Sequence, residues 1–125
     1  MNYQEIFNKV SNHLLVQNEK SASTEGSVGY ICYYRYNGLK CAFGVLIPDE
    51  LYSGDLEGET VRGVLLKRPA LNALLGIESC KDRDFLAELQ RIHDAISVDR
   101  WPAHLEYFAN KYRLKAQELT YEINR

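Results

Sequence analysis

The chain has 125 residues, 46% of them hydrophobic and 26% charged, the composition of one globular domain with room for a single core. Its 15 basic and 17 acidic residues leave a net charge of −2, so no bulk basic field draws it to nucleic acid. The longest apolar run, residues 41–47, is far too short to cross a membrane, and residues 1–5 carry neither the charged nor the apolar region of a secretory signal.

Residues 3–17 predict an amphipathic helix, with Tyr3, Ile6, Phe7, Val10 and Leu14 on one stripe and Asn2 and Glu5 in a capping pattern. Residues 20–27, rich in Ser, Thr and Gly, read as a mobile loop inside one domain. Residues 30–46 then read as a β-hairpin turning at Asn37-Gly38, because a type I′ turn needs positive φ at both central positions. That register sets Tyr36 against Leu39, Arg35 against Lys40, Tyr34 against Cys41, Cys32 against Phe43 and Tyr30 against Val45. Alternation places Tyr33, Arg35 and Lys40 on one face and Tyr34 and Tyr36 on the other. Both faces are largely apolar, so helices must cover at least one of them.

Pro48 stops the second strand, and residues 48–54 resemble one helical turn followed by an acidic loop. Thr60 caps a short helix through Lys67, and Pro69 starts another that ends at Gly76. Residues 82–97 give the clearest helical period, with Phe85, Leu86, Leu89, Ile92, His93 and Ile96 in phase. Residues 101–112 follow, and Ala116, Leu119 and Ile123 keep that phase, so residues 115–125 are expected to extend the last helix. The fold class is α+β: a mostly helical single domain, residues 1–125, packed on a two-stranded antiparallel hairpin.

Three cysteines, an odd number without framework spacing, point to reduced thiols and an intracellular setting. Cys32 and Cys41 lie diagonally on one hairpin face, wider than a disulfide prefers. A zinc site from Cys32, Cys41 and Cys80 with a histidine would need a tertiary coincidence, since no close cysteine pair is present. A cysteine hydrolase would use Cys41, with His93 or His104 as base and Asp94 or Asp99 to orient it. Cys41 sits mid-strand without the helix N-terminus or same-face cation that activates a thiolate. No residue is therefore assigned a catalytic role, and no metal or other cofactor is expected. The acids Asp49, Glu50, Asp55, Glu57 and Glu59 lack the spacing of a calcium loop and read as a solvated face.

Tyrosine beside cations suits protein contacts, bases and phosphates alike. Arg35 opposite Lys40 is a like-charge cross-strand pair, which either splays into water or holds an anion.

The stretch Cys32-Tyr-Tyr-Arg35, followed by Gly38-Leu-Lys-Cys-Ala-Phe-Gly-Val-Leu-Ile-Pro-Asp-Glu-Leu-Tyr52 and Glu57-Gly58, resembles a family of small uncharacterised phage, prophage and bacterial proteins. Leu89-Gln-Arg-Ile-His-Asp94 resembles that family's second motif, and the likeness covers roughly residues 3–112. The resemblance implies genomic context rather than mechanism. Joined to the surface reading, it gives a candidate binding set of Tyr33, Arg35, Lys40, Asp49, Glu50, Tyr52, His93 and Asp94. The leading expectation is a non-enzymatic accessory protein in the cytoplasm of a bacterial host, binding a host protein and inhibiting a defence system. The alternative is a protein that sequesters a nucleotide or another small anion; a cysteine-dependent hydrolase comes third.

Overall fold

The computed structural model describes residues 1–23 and 31–116. Helix α1 (Tyr3–Gln17) starts where Asn2 Oδ1 accepts from the Glu5 N–H at 3.1 Å, and it ends at Asn18 in the left-handed region, whose N–H donates to Leu14 O. Its stripe of Ile6, Phe7, Val10 and Leu14 is buried, and α1 packs on α5 (Trp101–Lys111), which in turn packs on α4 (Cys80–Ala95). Phe7 stacks on Phe108 at 5.9 Å between centroids, and Phe85 meets Phe108 at 5.1 Å. Trp101 is wholly buried, and its indole N–H donates to Ile96 O at 2.9 Å, so the large ring enters the core without an orphaned donor.

Two short helices, α2 (Val61–Lys67) and α3 (Pro69–Leu75), close the other side, the first capped by Thr60 and the second opened by its proline and ended by Gly76. Helix α4 begins two residues before its predicted start because Ser79 caps it, accepting from the Asp82 N–H. Three further 3-10 turns, Gly44–Leu46, Asp49–Leu51 and Gly54–Leu56, carry the chain from the hairpin to α2. The fold is α+β, as expected, and no helix among the described residues is long and apolar enough to cross a membrane.

The hairpin turns where expected, with φ of 49° at Asn37 and 81° at Gly38, and pairs β3 (Arg35–Tyr36) with β4 (Leu39–Lys40) in the predicted register. It is much shorter than expected. The Cys41 N–H still bonds Tyr34 O at 3.2 Å, but there the chain folds back: Val45 N–H reaches Cys41 O and Gly44 N–H reaches Cys41 Sγ. Cys41, Ala42, Phe43 and Ile47 are all buried and only Val45 is half-exposed, so the run plugs the core as a turn rather than continuing as a half-solvated strand. The expected pair Cys32–Phe43 is therefore replaced, and the expected pair Tyr30–Val45 lies outside the described residues. Residues 31–32, read as part of the first strand, form β2 (Ile31–Cys32) and pair instead with β1 (Ala22–Ser23), giving a second small ribbon where a loop was expected. Residues 24–30, which include the rest of that loop through residue 27 and the expected start of the hairpin at residue 30, lie outside the described residues.

The last helix stops earlier than its phase suggested. Arg113 takes φ of 58° and Leu114 N–H bonds Ala109 O at 2.7 Å, a left-handed closure that turns the chain back onto α1. There Lys115 N–H meets Gln4 Oε1 and Gln4 Nε2 donates to Lys115 O. The expected extension beyond residue 116 lies outside the described residues.

The fold-back tests itself at Gly44. A Cβ there would sit 2.1 Å from the Tyr34 carbonyl oxygen, a backbone atom with nowhere to go. Gly44→Ala is expected to lower stability by about 3 kcal/mol in chemical denaturation. A loss under about 1 kcal/mol would mean the turn is not seated against Tyr34 as described.

Candidate functional site

Glu57 is the centre of the first cluster. Its Oε1 accepts from the Tyr34 N–H at 2.8 Å, and its Oε2 accepts from the Arg35 N–H at 3.1 Å and the Tyr52 hydroxyl at 2.6 Å. The side chain of Arg35 runs over the same loop. Its Nη1 lies 2.8 Å from Asp49 Oδ1, its Nη2 donates to Ile47 O at 2.6 Å, and its guanidinium lies 4.5 Å from the centre of the Tyr52 ring. The Arg35 Nε is buried with no partner among the described residues. Burial, with the hydrogen bond to Glu57, pushes the Tyr52 phenol up to about 12, against the opposing pull of Arg35.

Arg35, Asp49 and Tyr52 are thus brought together, but as a clamp on residues 47–57. The like-charge problem across the hairpin is resolved by sending Arg35 to Asp49. On Lys40 it is the backbone that is held: its N–H donates to Gln17 Oε1, and its carbonyl accepts from Gln17 Nε2 and His13 Nε2. Tyr33 does not share a face with Arg35 and Lys40 as alternation predicted. The chain bends between β2 and β3, and Tyr33 stacks on Tyr36 at 5.2 Å. The other acids of the loop are dispersed, Asp55 to Arg68 at 2.7 Å and Glu59 to Lys67 at 3.3 Å, so they form no common cation site.

His93 and Asp94 belong to a second cluster, between α4 and the β1–β2 ribbon. His93 is fully buried; its Nε2 lies 2.9 Å from the Ser21 N–H and its Nδ1 lies 2.7 Å from Asp94 Oδ1. A backbone N–H can only donate, so Nε2 holds the lone pair and Nδ1 carries the proton it gives to Asp94. Burial pushes the Asp94 carboxyl up, but hydrogen bonds from His93 and Gln90 outweigh it and hold the group below the ordinary aspartate value. Gln90 also accepts from the Phe43 N–H at 2.8 Å, which joins this cluster to the core plug.

Cys32 completes the set: its sulfur, a His93 ring nitrogen and an Asp94 oxygen all lie within 4.8 Å of one another. This is a donor set of the kind that holds zinc, but the geometry fits poorly. Both His93 nitrogens are in use, so a cation could take one only by displacing Ser21 or by moving the proton to face that N–H. Nor is the thiol poised for attack. Burial, then the charge and hydrogen bond of Asp94, push Cys32 up to about 12 against the pull of Lys20. Burial likewise pushes Cys41 up to about 12. Cys80 is exposed at the start of α4, with Arg83 Nη2 at 3.0 Å from its sulfur.

Lys40, Asp49 and Glu50 gather at a third place, the rim of an open groove of about 610 Å³ between α1, residues 45–50 and α3. Ile6, Ile47 and Leu75 are among its apolar walls. Among the described residues neither the Lys40 ammonium nor the Glu50 carboxylate has a hydrogen-bond or ion-pair partner. The sequence reading left Glu57, Gln90 and Cys32 out of its site, although all three fall within the motif stretches. No family model, curated protein or solved structure matches the chain.

The clamp predicts an order of effects. The Asp49 side chain is 84% exposed, so its ion pair is worth at most about 1 kcal/mol. Arg35 also holds a buried carbonyl, so Arg35→Ala should cost about 2 kcal/mol and Asp49→Ala clearly less, by urea denaturation. Equal losses would show that the ion pair, not the carbonyl bond, holds the loop.

The lowered Asp94 predicts a pH effect. Its folded pKa lies below the unfolded value of about 3.9, so its stabilisation is fully present above that pH and is lost as pH falls through the folded pKa. Asp94→Asn should be less stable than the parent at pH 7, and the gap should narrow as pH falls below the unfolded value of about 3.9. A gap that stays constant across this range would mean Asp94 gains no stability from its charge.

Proposed function

We propose that the protein is a non-enzymatic, phage- or prophage-encoded accessory protein that binds a host protein in the bacterial cytoplasm and inhibits a defence system. The observation that best supports a binding role is the groove rimmed by Lys40, Asp49 and Glu50. Apolar walls with charges of both signs at the edge suit a protein segment, which supplies side chains for the floor and pairs for the rim. The raised Cys32 and Cys41 thiols and the fully engaged His93 weigh against a cysteine hydrolase built from these residues. The phage context rests on the motif resemblance alone.

Charge reversal at the rim tests the reading. Lys40→Glu and Glu50→Lys are expected to leave the melting temperature within a degree or two of the parent, since neither side chain has a partner in the fold. Each should weaken capture of a specific host protein in pull-downs by about tenfold or more, and should abolish any protection of phage from host defences. If the parent recovers no specific host protein and changes no phage's plating on hosts carrying defence systems, the proposal fails. If capture is intact in both variants, the groove is not the contact surface.

A further inference from the structure

We propose that the cleft between α4 and α5 is a binding site for a mononucleotide. It lies away from the groove on α1 and α3 and stands independently of the function proposed above.

The cleft encloses about 310 Å³, the small end of the range for ligand pockets, roughly 300–1,000 Å³. Its floor is apolar, formed by Ile92 and Phe108 from the buried faces of the two helices. Its rim carries one cation without a partner. Arg91 from α4 lines it beside the imidazole of His104 from α5, and neither side chain has a hydrogen-bond or ion-pair partner among the described residues. The single acid in the lining, Glu88, is already engaged: it takes two bonds from Lys111 Nζ, at 2.9 and 3.0 Å, and one from the Tyr112 hydroxyl at 2.9 Å. The charge facing an incoming ligand is therefore positive on an otherwise slightly acidic protein.

The aromatic half of the site is Tyr107. It lines the same cleft, is 72% exposed, and makes no ring contact or hydrogen bond within the described fold. Packing gives no reason for a large ring at that position on α5. A planar base lying on the apolar floor with Tyr107 against one face would cover it. The phosphate would then reach Arg91, whose guanidinium fork matches phosphate oxygens, with His104 beside it. An uncharged nucleoside would leave the cationic rim unused, and inorganic phosphate would leave the floor and Tyr107 uncovered, so the site selects a ligand that carries both parts. A nucleic-acid strand is less well served, since the cationic rim is confined to one short cleft.

The test is an NMR titration of the full chain with ribonucleoside monophosphates, with the matching nucleosides and inorganic phosphate as separate arms. At least one monophosphate should give saturable amide shifts centred on Arg91, His104 and Tyr107. Its affinity should exceed that of its nucleoside and of phosphate by about tenfold or more, and should fall as salt rises. Arg91→Glu and Tyr107→Ala change exposed side chains and should keep the parent spectrum elsewhere, and each should weaken binding about tenfold or more. The proposal is overturned if no monophosphate saturates at millimolar concentration. It is equally overturned if the shifts map to another surface, or if Arg91→Glu binds as the parent does.

Discussion

A single carboxylate decides whether the hairpin and the following loop can coexist. The chain between β2 and β3 bends, and a bend leaves backbone N–H groups without ladder partners. Glu57 takes two of them, from Tyr34 and Arg35, and adds the Tyr52 hydroxyl. With those donors satisfied, the apolar run after Lys40 is free to leave the sheet and enter the core as a turn. Without that carboxylate, two donors would be left partly buried and unmet, which costs more than the bonds themselves contribute when made.

His93 plays the matching part at the other ribbon. The β1–β2 pair is only two residues long on each side, too short to stand alone. Its attachment to the helical body runs through the Ser21 N–H to the buried imidazole and on to Asp94, with Tyr33 N–H bonding back to Ser21 O at 2.8 Å. Gln90 then links Asp94 to the backbone of Phe43 in the core plug. The two ribbons are thus pinned to the body by polar side chains rather than by a continuous sheet, and the pins come from the two motif stretches.

Where a signal was local, the sequence was legible. The caps at Asn2 and Thr60, the Asn37-Gly38 turn and the periods of α1, α4 and α5 depend on residues a few positions apart, and each appears as read. The length of the hairpin was not legible. A run such as Cys41 to Ile47 is equally consistent with a buried strand and a buried turn, because with no polar face the alternation that defines a strand is missing. The early end of α5 was hidden for a related reason: the apolar phase continues past a closure at Arg113 that no glycine announces. The candidate site was half visible. The motifs pointed to Arg35, Asp49, Tyr52, His93 and Asp94, but which of these meet is set by tertiary contacts spanning 12 to 72 positions.

Those contacts change what the motif residues mean. Arg35 and Tyr52 close a loop, and His93 and Asp94 hold a ribbon, so their presence is accounted for by the fold and says little about a partner. A side chain that carries function without carrying the fold should show the opposite pattern: exposed, charged or aromatic, and without an internal bond. Among the candidate binding residues Glu50 meets that description, and Lys40 meets it except that it is half-buried. Outside that set Arg91 and Tyr107 meet it too, on a different face, with the half-buried His104 in the same cleft. In the sequence, aromatic and charged residues stand out by their place in a motif. The structure shifts the weight to the side chains the fold leaves unused, and these fall at two separate concavities rather than at the hairpin tip.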